Sequence, residues 1–525
     1  MHSNKKLIIV IIFIFFSSFF LSGCTLQNLF GSSISLISWN VCDDDGFPSV
    51  EISFSNTCNV NLKTEYSSGT VIDSDEFFYG EHNVKLNIDD YRNSCKNEIF
   101  LKAYDNDGND IFSKTLSFDG LELKINSCEQ KWWKRQSWGY SLIGIVLSVT
   151  NNGDVPAYPY YIDVKIDSNS LNGYILPNVI LPGETKNIKS FIYCEDNPIS
   201  DTLDVTIKDI ENIVLSSDTF DINYEDLVDV KKFNWKYDGM SLSLSVPYPD
   251  FLHEYYQNLD RIILKDYSFY VFDKYDDDYL DFFSDQLQYT SSSQSESDKI
   301  NFAAAFIQNL EYRSDVGEFD YPNYPLETLF STDGGCDCED MSILTANILD
   351  KMGYEVALFR LTNHMAVGIK LVSEITGYDT YEDGYYFLET TSKNHKVGYI
   401  PNSYKSKPDL EVFPISNRPL LYHDWYDGNI TKFINTEIGN VVKAKSVVFN
   451  LGRTISSNAN YEGVFYDDNN YEYKDTVTMD SLKPGMKKKV YVIIEIPSDV
   501  ETKFKTRVYD DDYLYNNVES NAIFP

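Results

Sequence analysis

Cys336 and Cys338 stand in Gly334-Gly335-Cys336-Asp337-Cys338-Glu339-Asp340, just ahead of an apolar run with helical period. A thiol at a helix N-terminus faces unpaired N–H groups and the positive end of the dipole. Both favour thiolate, so the Cys338 thiol is expected below its free value. The same N–H groups could hold an oxyanion, and Gly334 and Gly335 permit a tight approach beside the sulfur. A nucleophilic thiol needs a base. Beyond residue 24 the histidines stand at 82, 253, 364, 395 and 423. His364 opens an apolar strand-like run, and Glu389 lies in the next one, Tyr386-Phe387-Leu388-Glu389-Thr390-Thr391. Neighbouring strands run ~4.8 Å apart, so a carboxylate on one reaches an imidazole on the other. The chemistry offered is attack of Cys338 on an acyl carbon, with His364 as base and Glu389 orienting it. Asp379, Glu382 and Asp383 are nearby alternatives for the orienting role.

Blander readings stand beside this one. Cys336, Cys338 and His364 could hold zinc, but Cys-x-Cys is poor tetrahedral spacing. Cys338 could be a structural thiol and His364 a satisfied strand histidine. Cys336 could pack in its loop or form a bond that silences Cys338. His395 sits in a polar loop, and His423, in Tyr422-His423-Asp424-Trp425, is a rival base.

The elements that must position these groups can be read from periodicity. Ile300–Leu310 has apolar residues three and four apart, with Ser297 and Asp298 as caps. A loop spans Glu311–Gly335. A second helix runs from Cys338 to Met352, burying Met341, Leu344 and Ile348, and Gly353 stops it. Strands are expected at Val356–Leu361, Met365–Val372 and Tyr385–Thr391. One helix on consecutive strands makes an α+β unit.

Three stretches resemble the transglutaminase-like superfamily, in particular its prokaryotic Cys-His-acid members. They are Gly335-Cys336-Asp337-Cys338-Glu339-Asp340-Met341-Ser342, Asn363-His364-Met365-Ala366-Val367-Gly368 and Leu388-Glu389-Thr390-Thr391. Pro325-Leu326-Glu327-Thr328-Leu329 also looks like that family's approach to its Cys. The resemblance covers about 190 of the 525 residues. It implies a papain-like core with Cys338 as nucleophile, His364 as base and Glu389 as third member. It also implies amide hydrolysis or acyl transfer to an amine, although the family includes members with no activity. Two departures are the extra thiol Cys336 and Glu389 in place of a shorter Asp.

The rest of the chain sets the context. At 525 residues it is too long for one domain. A formal net charge of −36 repels phosphate backbones, so nucleic acid is not an expected partner. The 40 Tyr and 33 Phe favour strands. Lys5 and Lys6 precede an apolar run, Leu7 to Leu21, shorter than a spanning helix needs. It ends Leu21-Ser22-Gly23-Cys24, which resembles a lipoprotein lipobox with Cys24 as the lipidated residue. Cys42, Cys58, Cys95 and Cys128 are disulfide candidates whose pairing the sequence leaves open. Asp105-Asn106-Asp107-Gly108-Asn109-Asp110 reads as a hairpin turn rather than a calcium loop.

The expected fold class is multidomain: an α+β papain-like (transglutaminase-like) core flanked by all-β immunoglobulin-like sandwiches. The expected divisions are residues 1–23 (signal peptide), 24–128 (β-sandwich with disulfides), 129–226 (β-sandwich), 227–420 (core) and 430–525 (β-sandwich). The Leu-Pro-Gly turn at 181–183 is echoed by Leu-Lys-Pro-Gly at 482–485. The expected function is a surface-anchored thiol enzyme acting on protein or peptide amide bonds. The alternative is a catalytically silent surface binding or scaffolding protein. Neither cofactor nor metal is expected. The partners expected are a protein or peptide substrate and a membrane, reached from outside the cell through the lipid on Cys24.

Overall fold

A computed structural model describes residues 33–89, 98–135, 139–195, 197–291, 295–315, 321–331, 335–407, 409–436, 439–498, 500–510 and 513–524. Cys24 and Cys95 lie outside these residues. None of the described helices is long and apolar enough to cross a membrane. The chain forms two compact units, Met1–Val228 and Asp229–Pro525.

The first unit holds two cores. The first lies between two sheets built from β1 (Ile34–Asp43), β2 (Pro48–Asn56), β3 (Val60–Tyr66), β4 (Val71–Phe77), β5 (Gly80–Asn87), β6 (Glu98–Tyr104) and β7 (Asp110–Ser117). Their orders are β1-β2-β5 and β4-β3-β6-β7. In β2 the residues alternate, and Val50, Ile52 and Phe54 turn inward onto Leu62, Leu86 and Leu101. The second core lies among β8 (Leu123–Arg135), β9 (Gly139–Asn151), β10 (Tyr161–Ile166), β11 (Asn169–Tyr174), β12 (Thr185–Cys194), β13 (Thr202–Lys208) and β14 (Val214–Asp221). The orders there are β12-β9-β8 and β11-β10-β13-β14.

The second unit begins with a hairpin, β15 (Val230–Tyr237) and β16 (Met240–Pro247), followed by α1 (Asp250–Gln257), α2 (Ser268–Val271), α3 (Asp277–Ser291), α4 (Glu296–Ile307), α5 (Pro325–Phe330) and α6 (Cys338–Lys351). Then come β17 (Val356–Leu361), β18 (His364–Ile369), β19 (Tyr386–Leu388) and β20 (Glu411–Pro414), in the order β19-β18-β17-β20. The unit ends with β21 (Leu421–Thr436), β22 (Gly439–Asn450), β23 (Ala459–Tyr466), β24 (Glu472–Thr478), β25 (Lys487–Glu495), β26 (Thr502–Asp510) and β27 (Tyr513–Phe524). These form sheets β21-β22-β25 and β24-β23-β26-β27.

This architecture corrects the expected fold class. Strand accounts for 51% of the chain and helix for 14%, and the strands are spread over many small antiparallel sheets. The molecule is mostly β, not an α+β papain-like core with β attachments. The physical reason lies in the composition: a chain this rich in Tyr, Phe and β-branched residues builds pleated, half-buried surfaces along most of its length. The helices are a short interruption between hairpin and sheet.

A buried asparagine closes an equivalent corner in three places. Asn56 donates to the carbonyls of Cys58 and Phe78 at 2.7 and 3.0 Å. Asn151 donates to Val155 and Ile180 at 2.8 and 2.9 Å and accepts from Gly153 N–H. Asn450 donates to Thr454 and Leu482 at 2.7 and 2.8 Å and accepts from Gly452 N–H. Gly183 and Gly485, from the two turns noted in the sequence, donate to the carbonyls of Asn151 and Asn450. At Asn151 and Asn450 one amide side chain meets both orphan carbonyls and an orphan N–H of the strand end, whereas Asn56 supplies only the donor half. The likeness between the second and last sandwiches is thus one of hydrogen bonding as well as of turn sequence.

Cys128 is a free thiol on β8, packed against the second core, whereas Cys58 packs on the first. Cys95, a further disulfide candidate, lies outside the described residues. Cys42 lies on β1.

Candidate active site

The site is built where α6 meets β18. Asp337 and Asp340 form a capping box that fixes the first turn of α6. Asp340 is held in turn by Asn323, whose N–H and side-chain amide donate at 2.7 and 2.8 Å. Burial, the largest influence, raises Asp340 to about 7 against these hydrogen bonds. The run Met341–Leu349 is buried throughout, so α6 is clamped on several sides. Cys338 is the first helical residue, as its spacing predicts.

His364 is the first residue of β18 and pairs across the turn with Leu361. Its Nε2 lies 3.2 Å from Oε2 of Glu389. The other Glu389 oxygen accepts from Thr391 N–H at 2.9 Å and from the Thr391 hydroxyl at 2.5 Å. Burial opposes ionisation of Glu389, yet the hydrogen bonds from His364 and Thr391 outweigh it and hold the carboxyl down at about 2. Tyr404 stacks on the imidazole, with centroids 4.7 Å apart and planes 8° from parallel. Gln308, the C-cap of α4, donates to the carbonyls of Glu389 and His395 at 2.8 and 2.9 Å. Ser342 on α6 meets Thr390 at 3.0 Å. The three bonds tie the stretch from Glu389 to His395 to the helices.

Cys338 and His364 line one cleft of about 970 Å³, together with Tyr312, Asp337, Glu339, Met365 and the rim residues Lys265, Arg360, Asp409 and Glu411. The Met365 amide lies close enough to the Cys338 sulfur to favour its thiolate, against the stronger effect of burial. Of the three sequence-chosen groups, Glu389 bonds His364, and His364 shares the cleft with Cys338.

The electrostatics differ from expectation. Burial, and then the charge of Glu339, push the Cys338 thiol well above its free value. The helix start does not win, because two carboxyls, Asp337 and Glu339, crowd the same end. Burial and the Asp337 carboxylate also raise Glu339. The Cys338 thiol donates toward Glu339 Oε2 at 3.3 Å. Its resting state is a neutral thiol.

Cys336 is buried and donates to the Glu311 carbonyl at 3.3 Å, while its own carbonyl takes Arg313 N–H at 3.0 Å. Its role is to seal the loop. Burial, followed by the charges of Asp340 and Asp337, pushes it up to about 12. Glu382 pairs with Lys407 at 2.6 Å, and no contact brings it to His364. His395 stacks on Tyr399 at 4.8 Å. His423 is fully buried in the last sandwich, with Nδ1 2.7 Å from Asn516 and Nε2 2.9 Å from Thr506. It takes no part in the cleft.

Sequence reasoning missed Tyr404, Asn323, Gln308 and the carboxyl pair at the helix start. Thr391 was within the Leu-Glu-Thr-Thr stretch, and a hydroxyl two residues past a carboxylate is a readable signal for a bond to it.

No protein-family model and no curated protein matches the chain. Among solved structures it is similar to a tetra-tandem repeat in the extending region of a large adhesion protein, at 9% identity and TM-score 0.14, over 94% of this chain and 100% of that one. It is similar to the BSP domain of a biofilm associated protein at 10% identity and TM-score 0.14, over 93% and 96%. It is also similar to the YadV chaperone at 11% identity and TM-score 0.13, over 36% and 100%. At such scores none of the three bears on the fold or the chemistry.

Proposed function

We propose that the cleft is the site of a thiol enzyme that transfers an acyl group from a protein or peptide amide, in the manner implied by the resemblance to transglutaminase-like motifs. The observation that supports this most is the His364–Glu389 bond, with Cys338 heading its helix in the same cleft. Glu389 takes Nε2, so Nδ1 is the nitrogen left to exchange protons with the thiol. Because the thiol rests neutral, His364 removes its proton as the sulfur attacks the amide carbon. Free N–H groups at the start of α6 are the donors this reading assigns to the oxyanion. His364 then gives the proton to the departing amine, and a thioester on Cys338 remains. Water or a second amine takes the acyl group and restores the thiol.

One observation favours a second reading. A thiol raised by burial and two acidic neighbours is a poor spontaneous nucleophile, which suits a silent binding protein. The two readings separate in one experiment. The chain is mixed with a glutamine-containing peptide and a primary amine, and intact mass is followed. A thioester adduct on Cys338, discharged by amine or water, supports the enzyme. Peptide retention without any adduct or release of ammonia supports the binder. The lipid on Cys24 and the outward-facing membrane location belong to the same proposal, and metabolic labelling with a fatty-acid analogue tests them.

A further inference from the structure

The carboxyls that raise the thiol have unmet bonding capacity of their own. Oδ1 of Asp337 and Oε1 of Glu339 are buried with no hydrogen-bond partner. Glu339 is 5% exposed and Asp337 9%. One carboxylate oxygen from each of these residues, and the Cys338 sulfur, all lie within 4.8 Å of one another. An orphaned buried carboxylate oxygen costs free energy comparable to a lost charged hydrogen bond, a cost that a bound cation would offset.

We propose that Asp337, Cys338 and Glu339 bind a divalent cation of borderline softness, of the Zn²⁺ or Co²⁺ kind, which covers the thiol reversibly. Tetrahedral coordination, with metal–oxygen bonds of ~2.0–2.2 Å and metal–sulfur bonds of ~2.3 Å, sets two donors about 3.4–3.7 Å apart. The Cys338 sulfur and Glu339 Oε2 are already 3.3 Å apart, and the widest pair in the cluster, within 4.8 Å, needs a closure of at most about 1 Å. The donor set excludes the simplest alternatives. Hard ions such as Ca²⁺ and Mg²⁺ want six or more oxygens and no sulfur, while Cu⁺ prefers sulfur alone. Two carboxylates and one thiolate suit Zn²⁺, with water completing the sphere from the open side of the cleft. On binding, the metal–sulfur bond replaces the S–H bond and the proton leaves to solvent, with no change of oxidation state. Among the described residues this is the cluster of three such donors that meets the distance requirement, and neither Cys336 nor His364 belongs to it. The site therefore differs from a Cys-x-Cys-His zinc site. It also holds whether or not Cys338 turns over a substrate.

The test is a Co²⁺ titration of the chain, read by the thiolate-to-cobalt absorption in the near ultraviolet, with alkylation of Cys338 by iodoacetamide followed in parallel. The site predicts one equivalent of Co²⁺ carrying that band, displacement by Zn²⁺, and alkylation slowed at least about tenfold. Glu339→Gln should weaken the band's half-saturation by about 10–100-fold, the scale of losing a metal-site partner, while metal-free alkylation persists and reports an intact fold. Cys336→Ser and His364→Ala should retain the band. No band, a band that survives Glu339→Gln unchanged, or one lost in His364→Ala overturns the assignment. Catalytic failure with the band intact would count against turnover alone.

Discussion

Two histidines of the second unit, in its helix-bearing part and in its last sandwich, differ in what their surroundings leave each imidazole able to do. His423 is followed by an acid, Asp424, while the carboxylate that serves His364 lies 25 positions further along. Proximity in sequence misleads here. Asp424 turns to cap the Trp425 N–H at 2.7 Å, and both His423 nitrogens are spent on Asn516 and Thr506. Burial then pushes His423 down to about 4. His364 has one nitrogen held by an ionised carboxylate and lines a cleft. A base needs one anchored nitrogen and one with somewhere to deliver a proton, and the start of β18, which lines the cleft, offers that where the sandwich interior does not.

The comparison breaks first at the nucleophile. Cys338→Ala should remove acyl transfer by on the order of 10³-fold or more, because a covalent step loses its atom. Mass spectrometry should find no adduct elsewhere on the chain. Next come the two histidines. His364→Ala should slow acylation by about 10²–10⁴-fold, the usual share of general acid–base catalysis. His423→Ala should leave acylation in place and instead strand Asn516 and Thr506, costing about 1–3 kcal/mol in a denaturant melt. If His423→Ala slowed acylation as much as His364→Ala, the distinction drawn here would be wrong.

Acid should separate the two regions in the order of their shifted groups. His423 sits at about 4 against an ordinary 6.5. The unfolded chain binds that proton first, so stability falls as pH drops from about 6.5 to about 4, by on the order of 3 kcal/mol. Glu389 sits at about 2 against an ordinary 4.5. Its contribution is full above about 4.5 and is lost only as pH falls toward 2. Asp340 and Asp278, raised to about 7 and about 6, stabilise the helices further as pH falls through those values. Hydrogen exchange at pH 5 should therefore open β21 and β26 before α6 and β18, and the reverse order contradicts the assignment.

The smallest effect is steric. A Cβ on Gly368 of β18 would lie 2.3 Å from the Phe359 ring, which is fully buried. On Gly463 of β23 the nearest atom is a Val492 methyl at 2.7 Å. Ala at either position overpacks a core, at about 1–3 kcal/mol. Gly368→Ala should cost the more, since a buried ring yields less than a methyl, and thermal melts of the two variants give the order.

Much of the site could be read from local signals. The apolar period after Cys338 gave a helix that begins at that residue and is stopped by Gly353, at φ +88°. The strand at Val356–Leu361 has the expected ends. The helix expected at Ile300–Leu310 begins earlier, at Glu296, because Ser295 rather than Ser297 or Asp298 caps it. α5 falls inside the expected loop: Pro325 opens it and Glu327 closes its capping box while pairing with buried Arg261, a partner 66 residues away. That is a tertiary decision with no local trace. The thiol's direction was misjudged for a related reason. The dipole of a helix start is visible in a sequence, but the burial that sets two carboxyls against the sulfur is not. The fold class differs from the expected one because the strand-favouring composition acts along the whole chain, whereas the motifs around Cys338 speak for one stretch alone.

The central claim is that His364 serves Cys338 across one cleft. The direct measurement is the rate of Cys338 alkylation by a neutral amide probe, from pH 6 to 10, in the unaltered chain and in His364→Ala. The unaltered chain should react at least about tenfold faster near neutral pH, and His364→Ala should stay the slower across the range, because the buried thiol remains largely protonated. Superimposable curves across the whole range would contradict it.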